Sequence, residues 1–175
     1  MDAPKRYHPL LVTLHWLVAV LVALNLYLGK FVFHSPDYPD SAVALHMLAG
    51  TAVLALVIVR LVVRRRTRRP AEATSGNKLT DALARLVHYG LYVMLLAIPV
   101  LGGSFALLSG RVGRVFFGAG AASAPPPGAV FLLYRLHSLS ANILLLLVAL
   151  HVGAALYHQF LRRDNLIARM WYGAR

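Results

Sequence analysis

Eight histidines are spread through the 175 residues, and three of them, His137, His151 and His158, lie in the apolar stretch LLYRLHSLSANILLLLVALHVGAALYHQF from Leu132 to Phe160. A neutral imidazole offers one ring nitrogen to a metal while the other donates a hydrogen bond. Two such rings from opposite sides can hold a haem iron with no covalent bond to the macrocycle. His137 and His151 are 14 residues apart, which on an α-helix leaves them about 40° apart around the axis and ~21 Å apart along it. They share a face at two depths. His15 lies a turn or two inside one end of the first apolar run, in the half that His151 occupies. His46 lies a turn or so inside the opposite end of the second, level with His137. Two histidine pairs follow, one near each membrane surface, each formed by facing helices, and bundle cores commonly carry such sites. A lone intramembrane histidine more often bonds a neighbouring helix or relays protons, but four at matched depths point to two haems b. His8, before Pro9, and His34, between the first two runs, read as solvated side chains. His88, in the third run, competes with His15 as the partner of His151, and spacing leaves the two open.

The elements that position these side chains are apolar. The chain is 59% hydrophobic and 14% charged, with a mean hydropathy of +0.65. Four runs, 10–29, 42–63, 82–108 and 129–161, each come near or exceed the ~20 residues that a spanning helix needs. None alternates polar and apolar residues as a barrel strand does, and an open sheet edge cannot sit in lipid. The expected fold is all-α, an integral membrane four-helix bundle binding two haems b, with residues 1–175 as one domain. Lys5 and Arg6 precede the first run as they would a signal peptide, but the run is long for one and no small-x-small cleavage site follows. It reads as a helix.

The net charge of +12 is explained by its placement. Arg64, Arg65, Arg66, Arg68, Arg69 and Lys78 lie between the second and third runs, Lys5 and Arg6 before the first, and Arg162, Arg163, Arg169 and Arg175 after the fourth. The positive-inside rule puts all three groups, and both termini, in the cytoplasm. Such clusters signal topology or meet anionic lipid, and no nucleic-acid partner is expected. With no cysteine, haem attachment through C-x-x-C-H, iron–sulfur clusters, thiolate zinc sites and disulfides are excluded. The loop from Ser109 to Gly128 is rich in Gly, Ala and Pro, with a short interfacial helix expected at Val112 to Phe117 and an end at Pro125 to Pro127. Pro99 is expected to kink the third helix.

Small residues fit the proposed cofactor. Gly50 is a turn from His46, Ser138 and Ser140 flank the outer site, and Gly153 is two residues from His151, which suits a flat macrocycle close to backbone. Arg60, 14 residues after His46 and so on nearly the same face, is placed to pair with a haem propionate or to snorkel toward headgroups.

TLHWLVA near the N-terminus, ALHMLAGTAVLALVIVRL, ALARLVHYGLYVMLLAIPVLG and the closing RLHSLSANILLLLVALHVGAALYHQFLRRDN resemble the prokaryotic cytochrome b561 family, most closely its superoxide oxidase branch. The resemblance spans essentially the whole chain, except that the Ser109 to Gly128 loop and the residues just before His137 match poorly. It implies iron ligation by His15 and His151 at the cytoplasmic haem and by His46 and His137 at the outer one, thus favouring His15 over His88. It also implies an enzyme of the bacterial inner membrane that passes electrons from periplasmic superoxide to ubiquinone near the cytoplasmic side. Lys30, Arg111, Arg114 and Arg135 are the cations expected on the outer side, against Asp37 and Asp40, and Arg135 and Lys30 would steer the small anion. His158, one heptad beyond His151 and so ~10 Å nearer the cytoplasm, would meet the quinone, with Trp16, His88 and Lys78 as neighbours. The alternative is a cytochrome b anchor subunit fed by a protein redox partner such as a hydrogenase or dehydrogenase. A haem-free proton transporter, a third reading, would be colourless.

Overall fold

In hydrocarbon every backbone N–H and C=O must be satisfied within the protein, and a helix does this within one segment. The computed structural model describes residues 6–34, 37–71, 74, 76–119 and 128–173. Among them the chain forms α1 (Pro9–Tyr27), α2 (Asp40–Arg66), α3 (Lys78–Leu108), α4 (Arg111–Phe117), α5 (Ala129–Leu156) and α6 (Leu166–Arg169). α1 continues through a π-helical turn at Leu28–Val32, and α5 through another at Tyr157–Arg162. With these extensions, four helices of 24, 27, 31 and 34 residues are long and apolar enough to cross a bilayer. The architecture is a four-helix membrane bundle.

The helices overrun the apolar runs. α2 carries Arg64, Arg65 and Arg66 in its last turn and α3 begins at Lys78, because hydropathy marks the hydrocarbon core while the backbone stays helical into the headgroups. α4 forms one residue earlier than expected. It is bracketed by Gly110 at φ 71° and Gly118 at φ 65°, left-handed positions that glycine adopts without a Cβ penalty. Pro99 sits inside an unbroken α3. Lys5, Arg175 and the Pro125 to Pro127 stretch lie outside the described residues.

Local chemistry starts the helices. His8, expected to be solvated, is instead the N-cap of α1: its Nδ1 accepts from the Leu10 N–H at 3.2 Å, with Pro9 at the first position. Asn77 caps α3 in the same way at 2.9 Å. Thr13, Asn25 and Thr51 donate to the carbonyls four residues back, which pairs their donors within the helix.

The packing is uneven, and this positions the site. α1 lies along α2, α2 along α3, and α3 along α5, whereas α5 makes no extended backbone contact with α1 or α2. Val18, Val22, Val53, Val57 and Leu144 form the central core. After α5 the tail folds back over the first helix: Trp16 Nε1 donates to the Met170 carbonyl at 2.9 Å, Arg6 to that of Tyr172 at 2.7 Å, and the Thr13 and Tyr172 hydroxyls are 2.9 Å apart.

Candidate functional site

Four of the histidines face one another between α5 and the α1–α2 pair. His15 on α1 and His151 on α5 have ring centroids 6.2 Å apart, with planes at 73°. His46 on α2 and His137 on α5 are 6.0 Å apart, with planes at 77°. All four are half-buried. The fold therefore brings together both pairs expected from spacing.

The haem geometry can be tested against these rings. A ring nitrogen ~2 Å from a metal puts the imidazole centroid about 3 Å from it, so axial rings on opposite sides have centroids about 6 Å apart. Both pairs meet that separation. His88 lies 5.2 Å from His151, nearly an ångström short of it, and its Nδ1 is engaged by the Ala84 carbonyl at 2.7 Å. Among the described residues no group of three or more His, Cys, Asp or Glu side chains gathers to hold a metal ion. The donor sets are pairs of neutral nitrogen ligands, which suit an iron already held by four macrocycle nitrogens.

The outer pair is oriented from α3. His137 Nδ1 is 3.0 Å from the Ile98 carbonyl; since a carbonyl only accepts, Nδ1 carries the proton and Nε2 keeps its lone pair. α3 comes this close because residue 102 is glycine. A Cβ there would fall 2.7 Å from the His137 ring. At Gly50 and Gly153, which sequence had marked for close approach, a Cβ would meet no protein atom within 4 Å. Gly102 was missed because nothing local distinguishes it from Gly103. His46 packs edge-on against Phe33 at 5.3 Å, and its buried Nδ1 has no hydrogen-bond partner.

At the other end, Arg60 Nη1 donates to the Tyr92 hydroxyl at 3.0 Å, and its guanidinium lies 5.7 Å from that ring's centroid. Its buried Nε is unpartnered, and Arg60 is a charged neighbour of both His15 and His151. Arg60 thus keeps a buried, unpartnered donor near the inner ring pair, of the kind a propionate would need. Trp16 adjoins His15 at 5.3 Å.

The residues expected around the quinone each have contacts of their own. His158 sits in the second π-helical turn, where its Nδ1 meets Asp164 Oδ2 at 2.6 Å and its ring meets Tyr157 edge-on at 5.9 Å. Trp16 joins Trp171, His88 joins His151, and Lys78 is exposed at the start of α3. Asp164, just beyond the apolar span, has its carboxyl held below the usual aspartate range, chiefly by the His158 hydrogen bond.

The outer cations differ in their engagements. Lys30, in the first π-helical turn, donates to the Asn142 side-chain oxygen. Arg114 pairs with Asp40 at 3.2 Å, and Arg111 lies over Phe105 at 5.3 Å. Arg135 is exposed near the start of α5.

Four long apolar helices carrying two facing histidine pairs are the architecture of a membrane-embedded cytochrome b. The prokaryotic cytochrome b561 family matches residues 6–173, and the chain belongs to it. It is 32% identical to cytochrome b562 of Cereibacter sphaeroides, over 97% of this chain and 98% of that one. It is 28% identical to cytochrome b561 homolog 1 of Escherichia coli, over 95% and 97%. It is also 29% identical to the Yersinia pestis protein named "Probable superoxide oxidase CybB", over 95% and 96%.

Proposed function

We propose that the chain is a two-haem b cytochrome of the bacterial inner membrane that oxidises superoxide at the periplasmic face and reduces ubiquinone near the cytoplasmic face. The observation that carries this reading is the pair of imidazole couples, 6.2 and 6.0 Å between centroids, which link α5 to α1 and to α2. Bound between them, haem iron supplies reversible one-electron storage at two depths.

The residues have separate tasks. His15 and His151 hold the cytoplasmic group and His46 and His137 the outer one, with Gly102 and the Ile98 carbonyl fixing the tautomer of His137. Arg60 neutralises a propionate. Arg135 and Lys30 draw superoxide to the outer end, and the Yersinia relative's name supports that donor. At the cytoplasmic end His158, oriented by Asp164, takes up a cytoplasmic proton at Nε2 and passes it to the reduced quinone. Two superoxide anions, one quinone and two protons give two dioxygen molecules and one quinol. The arginines in the last turn of α2 and just after it support a cytoplasmic position for that end.

The test is haem quantification and a reduced-minus-oxidised spectrum on the purified chain, then rapid mixing of the oxidised protein with superoxide and ubiquinone. Two haems b, reduced by superoxide and reoxidised by quinone, are expected. A colourless chain would end the reading. Haems inert to superoxide but reduced by a co-purifying enzyme would make the chain a partner-fed cytochrome.

A further inference from the structure

At the arginine-rich end, apart from the histidine pairs, a cavity of about 250 Å³ is lined by Tyr7, Arg64, Arg69 and Pro70. Three segments meet there: the approach to α1, the last turn of α2, and the stretch after it. Arg169, from α6, ties them together. Its carbonyl accepts from the Tyr7 N–H at 3.1 Å, and its Nη1 donates to the Ala71 carbonyl at 2.8 Å. The walls are thus set before any ligand arrives.

The donors are set as well. Arg64 Nη1 donates to the Tyr92 hydroxyl at 3.3 Å and its guanidinium lies 5.8 Å from that ring's centroid, which holds the head in place and leaves most of its five N–H groups free. Neither Arg64 nor Arg69 has an ion-pair partner among the described residues. Two guanidinium forks and a phenol around one concavity, with no ion-paired carboxylate among the described residues, match a tetrahedral oxyanion with several acceptor oxygens. The cavity lies where α2 leaves the apolar span, at headgroup depth, and basic pockets at that level are suited to phosphate-bearing headgroups.

We propose that this cavity is a phosphate-binding site, taking the phosphate of an anionic lipid headgroup or free phosphate. It is separate from the haem reading and requires no redox step. The experiment is native mass spectrometry of the full, pigmented chain in neutral detergent, titrated with phosphatidylglycerol and, separately, with a neutral galactolipid of the same acyl chains. One phosphatidylglycerol should be retained under conditions that strip the galactolipid. R64Q/R69Q should weaken its retention about ten-fold or more, while R65Q/R66Q, which removes the same charge from the same region without touching the cavity, should leave it unchanged. If R64Q/R69Q fails to fold, R69Q alone carries the test, because Arg69 is exposed and its loss leaves the packing intact. Displacement by excess inorganic phosphate would identify free phosphate as the occupant, and resistance to it would identify the lipid. Equal retention of the galactolipid, equal damage by R65Q/R66Q, or loss of haem in step with the lipid would each overturn the proposal, the last by assigning Arg64 to a haem carboxylate.

Discussion

Each proposed iron ligand is a single side chain, and the substitutions separate the two ends. His46→Ala or His137→Ala should remove the outer haem and leave about half the pigment, and His15→Ala or His151→Ala the inner one, read by haem extraction. His88→Ala should spare both, because its 5.2 Å approach to His151 is too short for an axial partner; a variant that empties the inner site while His15→Ala does not would reverse that choice. Gly102 gives a sharper test. Gly102→Ala puts a methyl 2.7 Å from the His137 ring, while Gly103→Ala meets nothing within 4 Å. The first should deplete or spectrally shift the outer haem, and the second should leave the spectrum unchanged; equal effects would remove the close approach from the account. The histidines were legible in sequence because depth follows from residue number along a helix. Gly102 was not, since its importance comes from a ring 35 residues away on another helix, and local pattern says nothing about which of two adjacent glycines faces it.

At the scale of elements, hydropathy located all four spans, because a bilayer imposes a length that sequence can state directly. It did not show the two π-helical turns, whose extra residue per turn depends on tertiary contacts, yet these hold Lys30 and His158. Such turns often mark functional sites. In the second, the His158 to Asp164 bond joins the end of α5 to the tail that folds over α1. His158→Phe should leave both haems bound and reducible from outside but slow reoxidation by quinone about ten-fold or more, measured by stopped-flow absorbance; unchanged reoxidation would return His158 to a purely structural place. The carboxyl has a pH signature of its own. Because the folded state lowers the Asp164 pKa, its contribution is present above the unfolded value of about 3.9 and is lost as pH falls through the lowered folded one. Acidification below that point should therefore loosen the tail, seen as a change in Trp171 emission in a Trp16→Phe background. Asp164→Asn should remove that acid step, and a step that persists would place its origin elsewhere.

For the whole molecule the distribution of charge matters more than any pair. A reaction with a small monoanion cannot rely on contact area, so a fast encounter depends on long-range attraction to the outer end. The structure grades the cations there. Arg114 is neutralised by Asp40 at 3.2 Å, and Arg111 lies over the Phe105 ring, a contact that fixes its position and leaves its charge. Lys30 keeps its charge against a neutral Asn142 partner, and Arg135 is exposed two residues from His137. The Debye length shrinks from ~30 Å at 0.01 M to ~10 Å at 0.1 M ionic strength, so the second-order rate of outer-haem reduction by superoxide should fall over that range. Arg135→Gln should lower the low-salt rate and flatten the salt dependence most, because Arg135 is two residues from His137, and Lys30→Gln less. Haem content should be constant across the series, since steering acts on encounter and leaves ligation alone. The measurement is pulsed generation of superoxide against the oxidised protein, followed at the haem absorbance. A rate indifferent to salt and to Arg135 would remove the physical basis for superoxide as donor, and the same two-haem bundle would then be better understood as taking its electrons from a docked protein.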